Sequence, residues 1–296
     1  IHVVLPEKYI QIGIKDMKER AYAKINLALD VKRRREDGYH DLEMIMAPIT
    51  LHDLLYIDVI DEGIEISTNN RMIPVNEKNI VYKIISLVKD IYHIEKGVRV
   101  HIFKHIPMQA GLAGGSADGA ACLRALNRLF RLNLGYDVLA ELGGKVGADI
   151  PFCVYQKMAF VQGTGEKLEF INGKLDCHLL LVKPKRGVST KLAFSRLDLA
   201  QCDHPDCGKM KQAIINHDYQ GVIDQLGNSL EQPSLQLVKD IEQIREDLLT
   251  LGFDGALMSG SGSCVFGLTR DTQLLDRAHA TLRRKYPFVC RSMFQS

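Results

Sequence analysis

The chain has 296 residues, 46% of them hydrophobic, and a formal net charge of +2 at pH 7. Its length allows one large domain or two of ordinary size, and we expect two. The near-neutral charge argues against nucleic acid or an anionic membrane surface as a partner, and acidic residues flank the short basic run at 32–35, as in a solvated loop.

The first well-patterned segment is a strand. Apolar residues occupy the odd positions from Ala21 to Val31, and this alternation predicts a half-buried strand that carries Lys24 and Asn26 on its other face. Met17 stands just before this strand, and the chain does not begin with methionine. Residues 1–16 are therefore interpreted as an upstream extension or vector-encoded sequence.

A helix capped by Asn79 is expected next, because apolar residues recur at helical spacing after it. Its predicted apolar face consists of Ile80, Ile84, Leu87, Val88 and Ile91. A second alternating strand, with Val98, Val100 and Ile102, leads directly into Pro107 and a glycine-rich stretch.

Two further helices are predicted after the glycines. The second helix has a face of small and apolar residues, namely Ala117, Ala120, Ala121, Leu123 and Leu126. The third runs from Asp137 through Val146 and stops at Gly147. This places Asp149 just beyond a helix end, before Pro151.

Beyond about residue 165 the pattern changes to alternating strands and helices. The predicted elements are a strand at 177–182, helices at 209–226 and 234–251, a strand at 263–268, a helix at 271–285 and a final strand. No repeat or long linker separates the two halves. We therefore expect an α+β protein whose domains, residues 1–165 and 166–296, pack around a shared cleft.

Seven cysteines are scattered along the chain, and their odd number favours free thiols in a reducing compartment over disulfides. The tightest cluster, Cys202-Asp203-His204-Pro205-Asp206-Cys207, is a weak candidate metal site, and a polar surface loop explains it better because no matching pair stands elsewhere. No stretch reaches the ~18 apolar residues of a membrane span. These features predict a cytoplasmic protein.

The strongest local signal is the glycine-rich stretch from Pro107 to Asp118, which lies between a strand and a helix. Glycines allow backbone amides to wrap an anion, and a helix start adds unpaired donors and the positive end of its dipole. A phosphate group is the expected ligand. The simpler alternative is a tight turn that only packs helix on strand. Neither GxxxxGK[ST] nor GxGxxG occurs in the chain.

This stretch resembles the second motif of the GHMP kinases, P-x-x-x-G-L-x-x-S, through Pro107, Gly111, Leu112 and Ser116. Two other segments resemble the first and third motifs of the family, namely Ala23-Lys24-Ile25-Asn26-Leu27 and Ser259-Gly260-Ser261-Gly262-Ser263. The resemblance covers the chain from about Glu19 to the C-terminus.

Three further segments resemble the members of this family that phosphorylate the 2-hydroxyl of cytidine diphospho-methylerythritol, on the non-mevalonate route to isoprenoids. These segments are Asp37-Gly38-Tyr39-His40, Gly147-Ala148-Asp149-Ile150-Pro151-Phe152 and Gly163-Thr164-Gly165-Glu166. The resemblance implies a two-domain GHMP kinase fold, with an N-terminal domain like ribosomal protein S5 domain 2 and a C-terminal ferredoxin-like sandwich. The active site would lie in the cleft between them.

The resemblance implies ATP as the phosphate donor, with Mg²⁺ alongside it. It assigns the phosphates to Pro107, Met108, Ala110, Gly111, Leu112, Ala113, Gly114, Gly115, Ser116 and Ala117. Asn79 and Lys104 would border the adenine, although a helix cap and a strand-end lysine explain them equally well. No metal ligand is assigned, and Ser116 is the candidate contact, directly or through water.

Lys24 and Asp149 are the implied catalytic residues. Asp149 would act as general base on the acceptor hydroxyl, and Lys24 would stabilise negative charge on the transferring group. Alone, Asp149 would be interpreted as a capping or surface acid and Lys24 as a solvated strand residue. Their joint match to two motifs favours the catalytic interpretation.

The acceptor would be bound by residues from both halves, namely Asn26, Tyr39, His40, Thr190, Phe194, Gly260 and Ser261. An aromatic ring suits the flat face of cytosine and a histidine its polar edge, so Tyr39 would stack and His40 would donate a hydrogen bond. Phe194 is the candidate for the other side of the ring, with core packing as its alternative.

Three alternatives stay open at this point. The first is a related kinase acting on homoserine or mevalonate, against which Tyr39, His40 and the segment around Asp149 argue. The second is a non-catalytic ligand sensor on the same fold, which would not need both Lys24 and Asp149. The third is an RNA-binding protein, which would want a basic face. A monomer and a homodimer fit the sequence equally well.

Overall fold

The computed structural model describes residues 17–295, and it contains one sheet of seven strands and one of four. The strands of the larger sheet are β1 (Met17–Arg34), β2 (His40–Ile60), β3 (Ile64–Thr68), β4 (Gly97–Phe103), β5 (Ala159–Gly163), β6 (Lys167–Phe170) and β8 (Gly227–Asn228). The smaller sheet consists of β7 (His178–Lys183), β9 (Gly255–Met258), β10 (Val265–Thr269) and β11 (Phe288–Met293). The interpretation of residues 1–16 falls outside the described residues.

Ten helices lie within residues 17–295. Those of the first half are α1 (Ile80–Tyr92), α2 (Gly114–Leu129), α3 (Tyr136–Gly144) and α4 (Ile150–Tyr155). Those of the second half are α5 (Thr190–Ser195), α6 (Cys207–Ile215), α7 (Tyr219–Asp224), α8 (Glu231–Leu237), α9 (Asp240–Leu251) and α10 (Thr272–Leu282). None of the helices in this part of the chain is both long and apolar enough to span a bilayer.

The central strand of the larger sheet is β2, which pairs with β1, β4 and β5, and β1 in turn pairs antiparallel with β2 and parallel with the short β8. The sheet order is β3-β4-β2-β1-β8, and β5 pairs with β2 and with β6. The predicted strand at 21–31 is confirmed, but the expectation that it is half-buried is wrong. The residues of both faces are buried: α2 packs on β1, and the Asn26 amide donates to the Ser259 hydroxyl of the loop after β9.

Helix α1 begins after Asn79, whose side chain accepts a hydrogen bond from the Val81 amide at 2.8 Å, so the predicted cap is confirmed. Its buried face is rotated from the prediction and consists of Val81, Ile84, Ile85 and Val88. Ile91, which the sequence placed on that face, is 40% exposed. The predicted apolar residues of α2 are all buried.

The predicted third helix ends earlier than expected. Helix α3 stops at Gly144, and a turn closed by hydrogen bonds from Val146 and Gly147 to the Gly143 carbonyl follows it. The short helix α4 then begins after Asp149, and the sequence did not predict it. Asp149 therefore lies between two helices rather than after one.

The smaller sheet has the strand order β11-β7-β10-β9, and all its pairs are antiparallel. Its chain order of strand, helices, two strands, helix and strand is that of a ferredoxin-like sandwich. The predicted α+β class and two-domain fold are confirmed.

Each of the two predicted helices at 209–226 and 234–251 is a pair of helices. His217 adopts a left-handed conformation with φ 54° after α6, and Asp218 then accepts a hydrogen bond from Gly221 N to cap α7. Val238 is extended between α8 and α9. A backbone that leaves helical dihedrals at these positions cannot continue one helix.

The predicted domain boundary at 165/166 remains a prediction. β6 follows that point in the chain, yet it pairs with β5 in the larger sheet. β8 likewise returns from the second half to pair with Ala28 and Leu29 of β1. Backbone hydrogen bonds of β6 and β8 therefore connect the second half of the chain to the larger sheet.

Candidate active site

A cleft of about 1310 Å³ lies between the start of α2 and the loop that joins β9 to β10. Nearly all of the predicted site residues line it, namely Lys24, Asn26, Tyr39, His40, Asn79, Lys104, Pro107, Met108, Ala110, Gly111, Leu112, Ala113, Gly114, Gly115, Ser116, Asp149, Thr190, Phe194, Gly260 and Ser261. The fold thus brings together residues that are up to 237 positions apart in the chain.

The glycine turn, residues 107–116, ends in the first turn of α2. The helix begins at Gly114 after Ala113, which has φ 55° and whose side chain makes no capping hydrogen bond. The amides of Gly114, Gly115 and Ser116 have no acceptor within an α-helix, since first-turn amides precede its hydrogen-bond ladder. Several backbone donors and the positive helix end therefore converge on the cleft, as an anion requires.

Ala117 is the one predicted phosphate contact that does not line the cleft. Its amide donates to the Ala113 carbonyl at 2.8 Å, and its side chain is buried in the core. Ser116 is therefore the last residue whose backbone amide is available to an anion, because the helical hydrogen bonds begin with the amide of Ala117.

The glycine turn is fixed against the β9–β10 loop by a set of hydrogen bonds. The Ser259 hydroxyl donates to the Gly111 carbonyl at 3.1 Å, and the Ser263 amide donates to the Gln109 carbonyl at 3.2 Å. Gly111 has φ 74°, and a Cβ atom there would lie 1.9 Å from the Ser259 carbonyl oxygen. Only glycine at position 111 allows the two loops to approach this closely, and this contact links the glycine turn to the segment at 259–263.

Lys24 and Asp149 meet at the floor of the cleft. Lys24 Nζ lies 3.9 Å from Asp149 Oδ2 and donates a hydrogen bond to Asn26 Oδ1 at 2.6 Å. The Lys24 side chain is 6% exposed and that of Asp149 37% exposed, so the carboxylate is open to a ligand while the ammonium is held in place. Asp149 makes no side-chain capping bond to α4, which leaves its carboxylate available for chemistry.

A buried charge cluster lies beside the glycine turn, and the sequence identified only one of its members. Lys104 Nζ donates to Asp118 Oδ2 at 2.6 Å and contacts Asp53 Oδ2 as well. Burial would lower the pKa of Lys104, but the two carboxylates outweigh it and raise that pKa. Burial raises the pKa of Asp118 well above its ordinary value, against the attraction of Lys104.

The two acids of this cluster differ in how far the sequence could have indicated them. Asp118 stands one helical turn after Gly114, in a helix otherwise rich in alanine and glycine, and it lines the cleft. Asp53 lies in β2, which was not predicted, and its Oδ1 accepts from the amides of His105 and Ile106 at 2.5 and 2.8 Å. It thereby shapes the chain just before Pro107.

Asn79 lines the cleft, but its amide is already engaged. Its oxygen caps α1 and its nitrogen donates to the Pro74 carbonyl at 2.7 Å. The cap accounts for this side chain, and contact with an adenine ring would involve its surface rather than free hydrogen-bonding groups.

The far end of the cleft is aromatic. The rings of His40 and Phe194 stack with centroids 4.9 Å apart and an interplanar angle of 29°. Tyr39 is 67% exposed and is not part of this stack. The ring that stacks on Phe194 is therefore that of His40, and the expected placement of a base between Tyr39 and Phe194 remains a prediction. Burial, and then the charge of Arg34, lower the pKa of His40, which favours the neutral ring.

The Thr190 and Ser261 hydroxyls lie 2.8 Å apart across the cleft, one from α5 and the other from the β9–β10 loop. Gly260 is beside them and has φ 56°. These groups form a polar part of the cleft, in addition to the aromatic rings of His40 and Phe194 and the Lys24–Asp149 pair.

Two family models and several known proteins match this chain. The family model described as GHMP kinases N terminal domain matches residues 79–157, and that described as GHMP kinases C terminal matches residues 210–287. A protein of Clostridium acetobutylicum is 44% identical over 274 residues, covering 91% of this chain and 97% of that protein. A protein of Bacillus subtilis is 43% identical over 266 residues, covering 90% and 92%. Both are named 4-diphosphocytidyl-2-C-methyl-D-erythritol kinase.

Solved structures show the same relationship. A crystal structure of 4-(cytidine 5'-diphospho)-2C-methyl-D-erythritol kinase superposes with a TM-score of 0.80 at 31% identity, covering 95% of this chain and 100% of the other. A homoserine kinase from Cytophaga hutchinsonii has a TM-score of 0.76 at 17% identity, covering 97% and 96%. The latter likeness extends to the fold alone.

Proposed function

The chain belongs to the GHMP kinase family, and we propose that it transfers the terminal phosphoryl group of ATP to the 2-hydroxyl of 4-diphosphocytidyl-2-C-methyl-D-erythritol. This reaction yields the 2-phosphate and ADP on the non-mevalonate route to isoprenoids. The observation that carries the proposal is the Lys24–Asp149 contact of 3.9 Å in a cleft that also holds the glycine turn.

In the proposed mechanism Asp149 orients the acceptor hydroxyl and accepts its proton as the oxygen attacks the terminal phosphorus. Lys24, held by Asn26 at 2.6 Å, offers a fixed positive charge to the oxygens that gain negative charge in the transition state. Because Lys24 is almost fully buried, this charge acts with little screening by water.

The nucleotide would be held mainly by backbone. The amides of Gly114, Gly115 and Ser116 and the positive end of α2 match the charge of the phosphates. Phosphoryl transfer requires mostly positioning and charge neutralisation from the protein, and the hydrogen bonds from Ser259 and Ser263 make this turn rigid.

Mg²⁺ is part of the proposal as the companion of ATP. The ion prefers oxygen ligands and usually keeps waters and phosphate oxygens with one or two protein groups. Asp118 Oδ1 is buried without a hydrogen-bond partner within residues 17–295, and Asp118 and Ser116 both line the cleft, so they fit as its oxygen donors. When bound, the ion offsets negative charge on the phosphates.

The acceptor would lie with its cytosine at the aromatic end and its methylerythritol at Asp149. Phe194 would offer a ring face, and His40, whose lowered pKa favours the neutral ring, would offer one donor and one acceptor to the base edge. Tyr39 would reach the other face of the base by moving in from solvent. Asn26, Thr190 and the Gly260–Ser261 turn would contact the polar part of the acceptor between the base and the reacting hydroxyl.

The related kinases are not favoured. The Clostridium and Bacillus relatives, at 44% and 43% identity, share one activity in their names, whereas the homoserine kinase is only 17% identical. A ligand sensor would have no use for a lysine and a carboxylate in contact at the floor of the cleft.

The proposal also includes a cytoplasmic location and a monomeric or homodimeric state. All seven cysteines are free thiols, which supports a reducing compartment.

The test is an acceptor panel with ATP and magnesium, in which ADP release is measured with 4-diphosphocytidyl-2-C-methyl-D-erythritol, homoserine or mevalonate. We expect turnover with the first acceptor alone. Turnover only with homoserine or mevalonate would reject the proposed substrate, and ADP release that no acceptor changes would reject the kinase reaction itself.

A further inference from the structure

Residues 196–206, here called the wall segment, connect α5 to α6 and run along the aromatic end of the cleft. Leu197 and Leu199 of this segment line the cleft, directly after Phe194. The segment has no helix or strand of its own. Hydrogen bonds from the Gln201 and Cys202 amides to the Asp198 carbonyl close a turn within it, and side-chain contacts hold it to the rest of the molecule.

One such contact is made by His204, in the cluster that the sequence offered as a weak metal site. His204 Nδ1 lies 2.6 Å from Asp30 Oδ1 of β1, and Nε2 lies 2.9 Å from the Leu199 carbonyl oxygen. A carboxylate and a carbonyl can only accept hydrogen bonds, so both ring nitrogens must donate. This geometry requires a protonated, positively charged imidazole.

The surroundings of His204 support that charge. The Asp30 side chain is 2% exposed and also binds Lys32 Nζ at 2.8 Å and the Ser229 hydroxyl at 3.3 Å. Removal of a cation from a buried carboxylate is unfavourable. The Leu199 carbonyl, and then the Asp30 carboxylate, raise the pKa of His204 above its ordinary value, against burial and the charge of Lys32.

The other titratable groups nearby come from three elements. Glu43 of β2 pairs with Lys32 at 3.6 Å, and the Cys207 thiol of α6 donates to the Glu43 carbonyl at 3.3 Å. Asp203 precedes His204, and its backbone carbonyl accepts from the Ser229 hydroxyl at 2.7 Å. His204 is thus an ionisable side chain that links the wall segment to β1.

Cys202 lies close to this histidine, with Sγ 3.6 Å from Nε2, which superficially suggests a cysteine nucleophile with histidine and aspartate. The arrangement does not support one. Both nitrogens of His204 are already donating, so the ring cannot accept a proton from the thiol. Burial raises the pKa of Cys202 further from neutrality. The same double donation leaves no lone pair for a metal.

We infer that His204 is a positioning residue for the acceptor: its positively charged ring ties the wall segment to Asp30 and holds Leu197, Leu199 and Phe194 against the aromatic end of the cleft. This rests on the proposed function, because it concerns the acceptor's end of that same site. It predicts that loss of the charge on His204 loosens acceptor binding and leaves the ATP end unchanged.

The sign of the pH dependence follows from the raised pKa. A group whose pKa is higher in the ordered state stabilises that state at low pH and loses the effect as pH rises through the raised pKa. Acceptor affinity should therefore fall on the alkaline side of the ordinary histidine value of about 6.5. His40 titrates on the acid side, since its pKa is lowered, so the two effects occupy different pH ranges.

The first experiment needs neither substrate nor turnover. Proton NMR of the histidine ring hydrogens across pH identifies His204 as the resonance lost in His204→Gln, with His217→Gln as a matched control at another exposed histidine. We expect a midpoint clearly above about 6.5. A midpoint at or below that value would overturn the inference.

The second experiment measures the Kd of 4-diphosphocytidyl-2-C-methyl-D-erythritol by titration calorimetry at about pH 6 and about pH 9, and that of ATP in parallel. Wild-type protein should bind the acceptor about 3- to 10-fold more weakly at the higher pH, since a charge-assisted hydrogen bond at a half-exposed ring is lost. His204→Gln should show the weaker value at both pH values, while His217→Gln behaves as wild type.

The outcomes distinguish a failure of the role of His204 from a failure of the proposed function. An acceptor Kd that is equal at both pH values, or a parallel change in the ATP Kd, overturns the role of His204. Wild-type protein that binds ATP but no acceptor at either pH would instead refute the proposed function, and the NMR midpoint would then still decide whether His204 carries the charge.

Discussion

Gly111→Ala is the most informative single substitution, because it has two effects that a control can separate: backbone strain at Gly111 and a clash with the β9–β10 loop. Gly111 has φ 74°, a conformation that a side chain disfavours by about 1–2 kcal/mol. The new Cβ would also lie 1.9 Å from the Ser259 carbonyl oxygen, so one loop must retreat by about 1.5 Å to reach ordinary contact at 3.4 Å. Misplacement on this scale near the reacting groups lowers turnover by about 100-fold.

Gly63→Ala is the matched control. Gly63 has φ 79°, but a Cβ there meets nothing within 4 Å. In urea titration Gly63→Ala should lose about 1–2 kcal/mol of unfolding free energy from backbone strain, and Gly111→Ala at least as much because the clash adds to the strain. Only Gly111→Ala should also lose about 100-fold in kcat with ATP and acceptor saturating. Equal kcat values in the two variants would refute the account of the loop contact.

Three further substitutions test other parts of the site. Asp149→Asn should lower kcat at least about 100-fold with the ATP KM little changed, and activity near wild type would reassign the base. Phe194→Ala should raise the acceptor KM about 10-fold and leave the ATP KM unchanged; the reverse pattern would move the aromatic contact to the nucleotide. Lys104→Met leaves Asp53 and Asp118 buried without their cation, so urea unfolding should show a loss of about 3–5 kcal/mol, and a loss below about 1 kcal/mol would contradict the charge cluster.

The sequence predicted the parts of the site that depend on local pattern. The strand with Lys24 and Asn26 on one face follows from alternation alone. The glycine turn before α2 follows from residue type and position. Asp149 was assigned through a resemblance to a family motif, and the fold places it beside Lys24.

The parts that were missed depend on pairing and packing. β2 is 21 residues long, but Pro48 interrupts its alternation, and three register shifts against β1 change which residues face inward. Without β2 there was no signal for Asp53. The stack of His40 on Phe194 joins β2 to α5 and depends on tertiary positions that no local pattern contains.

His204 is a residue that the sequence singled out but whose partner it could not identify. The sequence drew attention to it as part of a cysteine-histidine cluster, for which metal binding and a polar loop were the available interpretations. Its actual partner is Asp30, 174 positions earlier in the chain. Long-range contacts of this kind decide the chemistry of a side chain, and they become visible only once the fold is known.

The most direct measurement is phosphorus NMR of the complete reaction of the protein with ATP, magnesium and 4-diphosphocytidyl-2-C-methyl-D-erythritol. We predict that a phosphomonoester resonance coupled to the methylerythritol moiety grows in step with ADP. ADP appearing together with inorganic phosphate, and without any new monoester on the acceptor, would contradict the transfer that Lys24 and Asp149 are proposed to perform.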